Sequence, residues 1–469
     1  HAAGFVVCAM YDTIIIGAGL SGLAAGIRLA HYDKRVCILE RHTTIGGLNS
    51  FYRQRGRDFD VGLHAVTNYA PQGSRRGPLA RLLRQLRFRW EDFALVPQAG
   101  SSVAFPGVTL RFNNDFRLFE AEVAAQFPDQ KDNLRKLVAQ LIDYDDLDGS
   151  LFQRSTRALL AESITDPLLR EMILCPVMWY GNARERDMDF GQFCIMFRSI
   201  FLEGFARPLA GVRLILRNLV RRFRSLGGEL RLRSGVRRIQ IEDGRAVGVE
   251  LDNGEQLEAR HVLSSAGIVE TMRMSGERKE LSPEPGQMSF IESIAVLDRL
   301  PRELGHHQTI VFFNDSETFH WERPQDEICD ARSGVICSPN NFLYDGDVLP
   351  DGILRVTLMA DYDRWCQLSA DEYRLAKLHW FERTLASAAR FVPDCRQHVI
   401  DMDMFTPRTI QRYTWHDNGA VYGAPEKRLD GRTKFANLFI CGTDQGYVGI
   451  VGSLLSGILV ANRHLLGDS

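Results

Sequence analysis

The chain has 469 residues, with 57 lysine and arginine side chains against 59 aspartate and glutamate and a net charge of −2. So balanced a charge excludes a general nucleic-acid binder, and no run of about 18 apolar residues is present to cross a membrane as a helix. The nine cysteines are odd in number, scattered and without a C-x-x-C pair, which excludes a disulfide framework or zinc ribbon and favours a reducing compartment. At roughly 150 residues per domain, the length predicts two or three domains. Residues 1–9 are mildly apolar but lack the basic start and long apolar run of a secretion signal, so the native start is expected at Met10. The location is expected to be cytoplasmic, with peripheral membrane contact open, and no metal site is expected.

The first elements form a nucleotide-binding pattern. Thr13-Ile14-Ile15-Ile16 is a short apolar run suited to a buried parallel strand. In the turn after it, Gly17 permits the tight bend, Gly19 lets backbone approach a pyrophosphate, and Gly22 lets the next helix, expected over 20–31, pack on the strand. That helix aims its positive end at the phosphates. A second strand over 35–39 ends at Glu40, followed by Arg41, about 20 residues past the glycines, where a carboxylate accepts bonds from a ribose. Gly46-Gly47-Leu48 and then Phe59-Asp60-Val61-Gly62-Leu63-His64 follow. Adjacent glycines there let backbone lie under a large planar cofactor, which points to a flavin rather than NAD.

Residues 77–201 read as mostly helical. Leu79, Leu82, Leu83 and Leu86 share one helix face, with Arg81, Arg84, Arg87 and Arg89 elsewhere. This is either a solvated helix of a helical subdomain or a basic amphipathic helix resting on anionic lipid. Arg213, Arg217, Arg221, Arg222 and Arg224 read as the outer face of another helix. Alternating strands follow Gly227-Gly228, and Val262 to Gly267 reads as a strand returning to the nucleotide domain. Strands over 290–297, 309–313, 335–338 and 354–358 and a helix over 370–391 suggest a second domain whose sheet floors a substrate cavity. Near the end, a buried strand over 437–441 leads through Gly442 and Asp444 to Gly449-Ile450-Val451 and an apolar helix through Val460.

Taken together, the G-x-G-x-x-G unit, Gly46-Gly47, the F-D-x-G segment at 59–62 and the C-terminal Gly442-Thr443-Asp444 resemble the FAD-containing amine oxidase-like superfamily. Within it the chain resembles the branch of phytoene desaturases, carotenoid cis–trans isomerases and retinol saturases, over nearly all residues after Met10. The fold implied is α/β: a Rossmann-type FAD-binding domain of the glutathione reductase/amine oxidase-like kind, a mixed-sheet substrate domain and a helical subdomain. The implied division is FAD-binding at 10–76, 202–270 and 405–469, helical at 77–201, and substrate-binding at 271–404. The resemblance further implies that backbone at Val236 meets the adenine, that Ala266 and Gly267 close the nucleotide site, and that Asp444 bonds the ribityl chain. The helix from Gly449 would favour the negative charge of reduced flavin. Many relatives have Arg where this chain has Leu48, so that phosphate contact is absent.

The activity implied is an FAD-dependent oxidoreductase acting on carbon–carbon bonds of an isoprenoid or polyene lipid, as desaturase, saturase or isomerase, with FAD held noncovalently. The alternative is an amine oxidase-like enzyme on a small polar substrate. No second nucleotide fingerprint appears, so electrons are expected to pass to or from a diffusible partner: a quinone, oxygen or a reductant. His64 is the candidate acid, base or head-group donor, with Arg412 and Tyr422 as further catalytic candidates. Trp179, Tyr180, Phe190, Phe193, Phe197 and Phe201 either line an apolar tunnel or pack as core.

Overall fold

The computed structural model describes residues 10–145, 152–278, 282–346 and 348–467. The expectation about residues 1–9 falls outside them. Strand Tyr11–Ile16 lies parallel between Val36–Leu39 and Gln256–Ser264. Glu229–Arg231 and Leu438–Ile440 add parallel strands on the two sides. Ile14, Ile15, Val36, Cys37 and Ile38 are all buried, as a parallel sheet covered on both faces demands. Strands Val236–Glu242 and Arg245–Leu251 continue antiparallel from the start of Gln256–Ser264.

The first and last long helices, Leu20–Ala30 and Gly449–Val460, pack against each other. Their crossing admits no side chain at Gly457, where an added Cβ would lie 2.0 Å from the Ser21 carbonyl oxygen. Helix Pro78–Leu86 buries Leu79, Leu82, Leu83 and Leu86 against this pair. Its apolar stripe is therefore consumed by the core, leaving only arginines such as Arg81 and Arg84 to meet a lipid surface. Helix Val212–Ser225 shows Arg217, Arg221 and Arg224 to solvent. Arg213 departs from that outward reading: it is buried and paired with Asp58.

The second sheet runs Val399–Phe405, Ser289–Leu297, Gly352–Ala360, Cys329–Cys337, Ile310–Asn314, Ser101–Phe105 and Val108–Phe112. Only the junction of Ile310–Asn314 with Ser101–Phe105 is parallel. The hairpin Ser101–Phe105/Val108–Phe112 lies within a stretch read as mostly helical. Its mark was local: Pro106-Gly107, with Gly107 at φ +75°, between inward-facing Val103, Phe105, Leu110 and Phe112.

One face of this sheet carries Ile291, Val311, Phe313, Ile336, Val356 and Leu358, and helix Ala370–Ala388 seals it with Trp380, Phe381 and Leu385. The opposite face carries Phe290, Phe312, Val335, Cys337 and Met359 and meets helices Pro167–Gly181 and Phe190–Phe197. Phe193, Phe197 and Phe201 are fully buried, and Phe201 packs at ring-centre distances of 5.1, 4.5 and 4.9 Å from Phe112, Phe119 and Phe197. These three are core packing.

Candidate functional site: two chain ends and a polar row

At the N-terminal glycines, each position has its own geometric demand. Gly17 takes φ +94°, and an added Cβ on Gly22 would lie 2.3 Å from the Gly17 oxygen. Above Gly19 nothing lies within 4 Å of an added Cβ. That leaves open space at the positive end of a helix, as a diphosphate requires. Gly46, at φ +105°, donates its N–H to the Ala18 oxygen at 2.9 Å and bridges to Gly19. The second glycine pair thus lies alongside the first turn, with Gly47 at φ +55°.

Glu40 is buried and accepts from the N–H groups of Ala18 and His42, each at 2.9 Å. A carboxylate has about four acceptor positions, so two remain for ribose hydroxyls. Replacing Glu40 with alanine is expected to weaken flavin binding roughly 10- to 100-fold, the worth of charge-assisted hydrogen bonds, measured by absorbance titration of the apoprotein. Arg41 donates to the Val236 carbonyl at 2.8 Å, pairs with Asp252 at 2.6 Å and lies 3.8 Å from the Trp415 ring centre. Of the Val236 backbone expected at the adenine, the carbonyl is thus bonded to Arg41. Trp415 was missed because only the fold brings it to Arg41.

The C-terminal motif reaches the same place. The Gly442 N–H donates to Ser456 Oγ at 2.6 Å, and an added Cβ on Gly442 would lie 3.1 Å from Ser21 Oγ. Gly449 opens the last helix at φ +74°, with an added Cβ 3.1 Å from Thr67 Oγ1, and Ile450 and Val451 are buried in its first turn. Ala266 and Gly267 occupy the turn after Gln256–Ser264, where Gly267 has φ +99° and room only for the nearby Glu270, His416 and Asp444.

Asp444, expected at the ribityl chain, also has a structural role. One carboxylate oxygen accepts from the Ile268 N–H at 2.6 Å and the other from the Ala424 N–H at 2.7 Å. It stitches three loops together, and Gly423, at φ +68°, has an added Cβ 1.9 Å from it. Lys427, buried beside it, donates to the Tyr422 carbonyl at 2.6 Å. Burial pulls this ammonium's pKa down against the pull of Asp444.

Between the chain ends and the second sheet runs the segment carrying His64. Gly62 is required for close packing, since an added Cβ would lie 2.2 Å from the Leu48 carbonyl oxygen. Two buried arginines fix the rest. Arg207 pairs with Asp60 at 2.5 Å; Arg355 pairs with Glu292 and donates to the carbonyls of Leu63 at 2.9 Å and Val61 at 2.5 Å. His64 Nε2 lies 3.2 Å from Thr357 Oγ1 and 3.4 Å from a Glu292 oxygen. Glu292 and Thr357 are directly paired across the sheet, so together with Arg355 beside them they form a polar row on a mostly apolar face. Burial pushes the Glu292 carboxyl up, but Arg355 and His64 together hold it below the ordinary carboxylate value.

Glu292, Arg355 and Thr357 escaped the sequence reading, although a charge inside an apolar strand run such as Phe290-Ile291-Glu292-Ser293-Ile294 marks an inward partner. Of the other candidates, Tyr422 reaches this region: its hydroxyl donates to the Trp179 carbonyl and its ring meets Phe290 edge-on. Burial raises its pKa. Arg412 is exposed, over the Tyr413 ring, and stands outside this row. A cavity of about 530 Å³ opens beside the His64 segment, with Arg57, Arg207, Arg213 and Arg355 in its wall. Each is already bound to a carboxylate.

The flavin-containing amine oxidoreductase family matches residues 20–465. The chain belongs to that family. It is similar to the chloroplastic prolycopene isomerase of Arabidopsis thaliana, 23% identical over 97% of this chain and 82% of that protein. It is also similar to the all-trans-retinol 13,14-reductase of Danio rerio, 23% identical over 97% of this chain and 86% of that one. An oxidoreductase of Methanosarcina mazei shares the fold, with a TM-score of 0.66 and 17% identity over 96% of this chain and 100% of that one. The cofactor class is therefore a flavin, and the open space above Gly19 and the free acceptor positions of Glu40 fit one. Among the described residues no helix is long and apolar enough to cross a membrane.

Proposed function

We propose that this flavoenzyme binds FAD noncovalently and acts on carbon–carbon bonds of an isoprenoid or polyene lipid. The observation that carries the reading is the His64–Glu292–Thr357 row, a polar cluster joined by Arg355 on a sheet face that is otherwise mostly apolar. Gly17, Gly19, Gly22 and Glu40 would hold the diphosphate and ribose, Arg41 and Val236 the adenine side, and Gly442 and Gly449 to Val451 the ring end. Bound flavin supplies hydride acceptance or delivery at N5.

The chain's own contribution is to orient the lipid, exclude water and hold a proton at His64 Nε2. Glu292 and Thr357 fix that ring, and Arg355 fixes the backbone on which it rides. Electrons would enter or leave through a diffusible quinone, oxygen or reductant, and any membrane contact would be electrostatic, through arginines such as Arg81 and Arg84. Anaerobic incubation of the FAD-loaded enzyme with a polyene panel is expected to give products changed by two hydrogens or isomerised. Peroxide release from amines with no polyene turnover overturns this reading. Replacing His64 with glutamine is expected to lower turnover about 10²- to 10⁴-fold, the usual worth of a positioned acid or base, while the flavin spectrum and stoichiometry are kept.

A further inference from the structure

Residues 413–418, at and beyond the end of helix Pro407–Thr414, touch the nucleotide domain on two sides. On one side Trp415 lies over Arg41, with 3.8 Å from guanidinium to ring centre, and the Tyr413 and His42 rings lie 5.6 Å apart. On the other, the Asp417 N–H donates to a Glu270 oxygen at 3.0 Å, and His416 Nδ1 lies 3.5 Å from the same oxygen. Arg273 pairs with the Asp417 side chain at 2.5 Å.

These attachments lie on opposite flanks of the first strand. Arg41 follows strand Val36–Leu39, while Glu270 and Arg273 belong to helix Ile268–Met274, which follows strand Gln256–Ser264. Tyr11–Ile16 lies between those two strands. The segment thus passes across the carboxyl end of the central strand, where a parallel sheet of this kind takes a dinucleotide. The helix before it packs against Gly47–Asn49, next to the Gly46 that bridges to Gly19. The bend is unfavourable without its contacts: Trp415 takes φ +68° at its helix end, a left-handed position usually filled by glycine, and Asn418 takes φ +59°.

Glu270, His416 and Asp444 converge on one point, since an added Cβ on Gly267 would meet all three. Burial pulls the His416 pKa down, yet Glu270, Asp444 and Asp417, the titratable groups facing it, hold it above the ordinary histidine value. Arg273 and Lys427 stand behind Asp417 and Asp444. Burial pushes the Glu270 carboxyl up, but His416 holds it below the ordinary carboxylate value.

We propose that residues 413–418 are a strap across the FAD crevice, latched by the His416–Glu270 pair, and that unlatching limits how fast FAD enters and leaves. This rests on the noncovalent FAD reading given above. Every latch contact is between protein groups, so it opposes opening in both directions alike. Loosening it speeds entry and release by one factor and leaves affinity nearly unchanged, whereas losing a side chain that merely bonds FAD alters affinity. Because the folded pKa of His416 is raised, the latch is complete below about pH 6.5, the ordinary histidine value. It is lost as the pH rises through the folded pKa, while Glu270 stays charged.

The test uses the FAD-loaded full chain. Exchange of bound FAD for excess isotope-labelled FAD, followed by mass, gives the release rate. Mixing the apoprotein with FAD gives the entry rate from flavin fluorescence. Between pH 5.5 and pH 8.5 the wild type is expected to speed up in both directions as His416 loses its proton. His416→Gln is expected to be roughly 10- to 100-fold faster both ways at pH 6, the worth of a charge-assisted hydrogen bond, and flat with pH, its affinity kept within about threefold. Trp415→Gly releases the other anchor without removing a charge, and is expected to speed both directions while keeping the wild-type pH profile. Unchanged rates in His416→Gln overturn the inference. So does faster release with unaltered or slower entry, which would make His416 a plain ligand or prop of the crevice. Flavin that can be neither exchanged nor reloaded sinks the noncovalent reading, and this inference with it.

Discussion

Replacing Gly457 with valine is expected to give colourless protein. The added Cβ would lie 2.0 Å from the Ser21 oxygen, 2.9 Å from the Ser21 carbonyl carbon and 3.0 Å from the Ala25 nitrogen, all backbone atoms that no rotamer change can move aside. Helices Leu20–Ala30 and Gly449–Val460 would have to separate. On the proposed reading both helices contribute to one flavin site, so separation would remove both contributions together. Overpacking a close-packed interior costs about 1–3 kcal/mol, and a backbone clash falls at or above the upper end. A loss of roughly 100-fold or more in flavin affinity follows. Gly452→Ala is the control on the same helix, since its added Cβ meets only Tyr447 atoms at 3.5 to 3.8 Å, ordinary contact distances. The ratio of flavin to protein absorbance in the two purified variants, with a thermal melt of each, reads the difference. Equal flavin content in both variants would count against a shared site.

The second large effect is expected at Arg355. Its guanidinium is buried, pairs with Glu292 and supports the carbonyls of Val61 and Leu63. Arg355→Leu leaves Glu292 without its main counter-charge, and removing one partner of a buried pair costs about 3–5 kcal/mol. The urea midpoint is expected to fall accordingly, and Arg355→Leu with Glu292→Leu together is expected to recover much of the loss, since two apolar residues leave no unpaired charge. The same pair sets a pH dependence. Glu292 has a folded pKa below its unfolded one, so its stabilisation is complete above about pH 4.3, the ordinary glutamate value. It is lost as the pH falls through the folded pKa. Denaturant midpoints of wild type and Glu292→Gln between pH 7 and pH 3 are therefore expected to converge at the acid end. A gap that stays constant with pH argues against the ion pair as the source.

How much of this was legible beforehand depended on whether a feature was local. The helix Gly449–Val460 begins and ends where the glycines and the apolar run place it, and the first strand, turn and helix follow from one stretch of about 20 residues. The polar row was not legible in that way. His64 lies more than 200 residues from Glu292 and Thr357, and only the antiparallel register that sets Glu292 opposite Thr357 brings those two together. The glycine turn before Asp444 suggested a ribityl contact, but its structural role was not legible. Its two backbone partners come from loops at 268 and 424 that no spacing argument connects. Arg412 lies outside the row for the opposite reason: nearness in sequence to the flavin-binding end did not bring its exposed side chain to it. The hairpin at 101–112 was passed over because the helical periodicity on either side of it was stronger than its own short alternation.

The most direct measurement of the central claim is acid precipitation of the purified chain, with the released chromophore identified by mass and its amount compared with protein. One equivalent of intact FAD in the supernatant and a colourless pellet is the outcome expected of a flavin gripped between the two chain ends without a covalent bond. A supernatant free of flavin after prior incubation with excess FAD, or a pellet that keeps the colour, would contradict it.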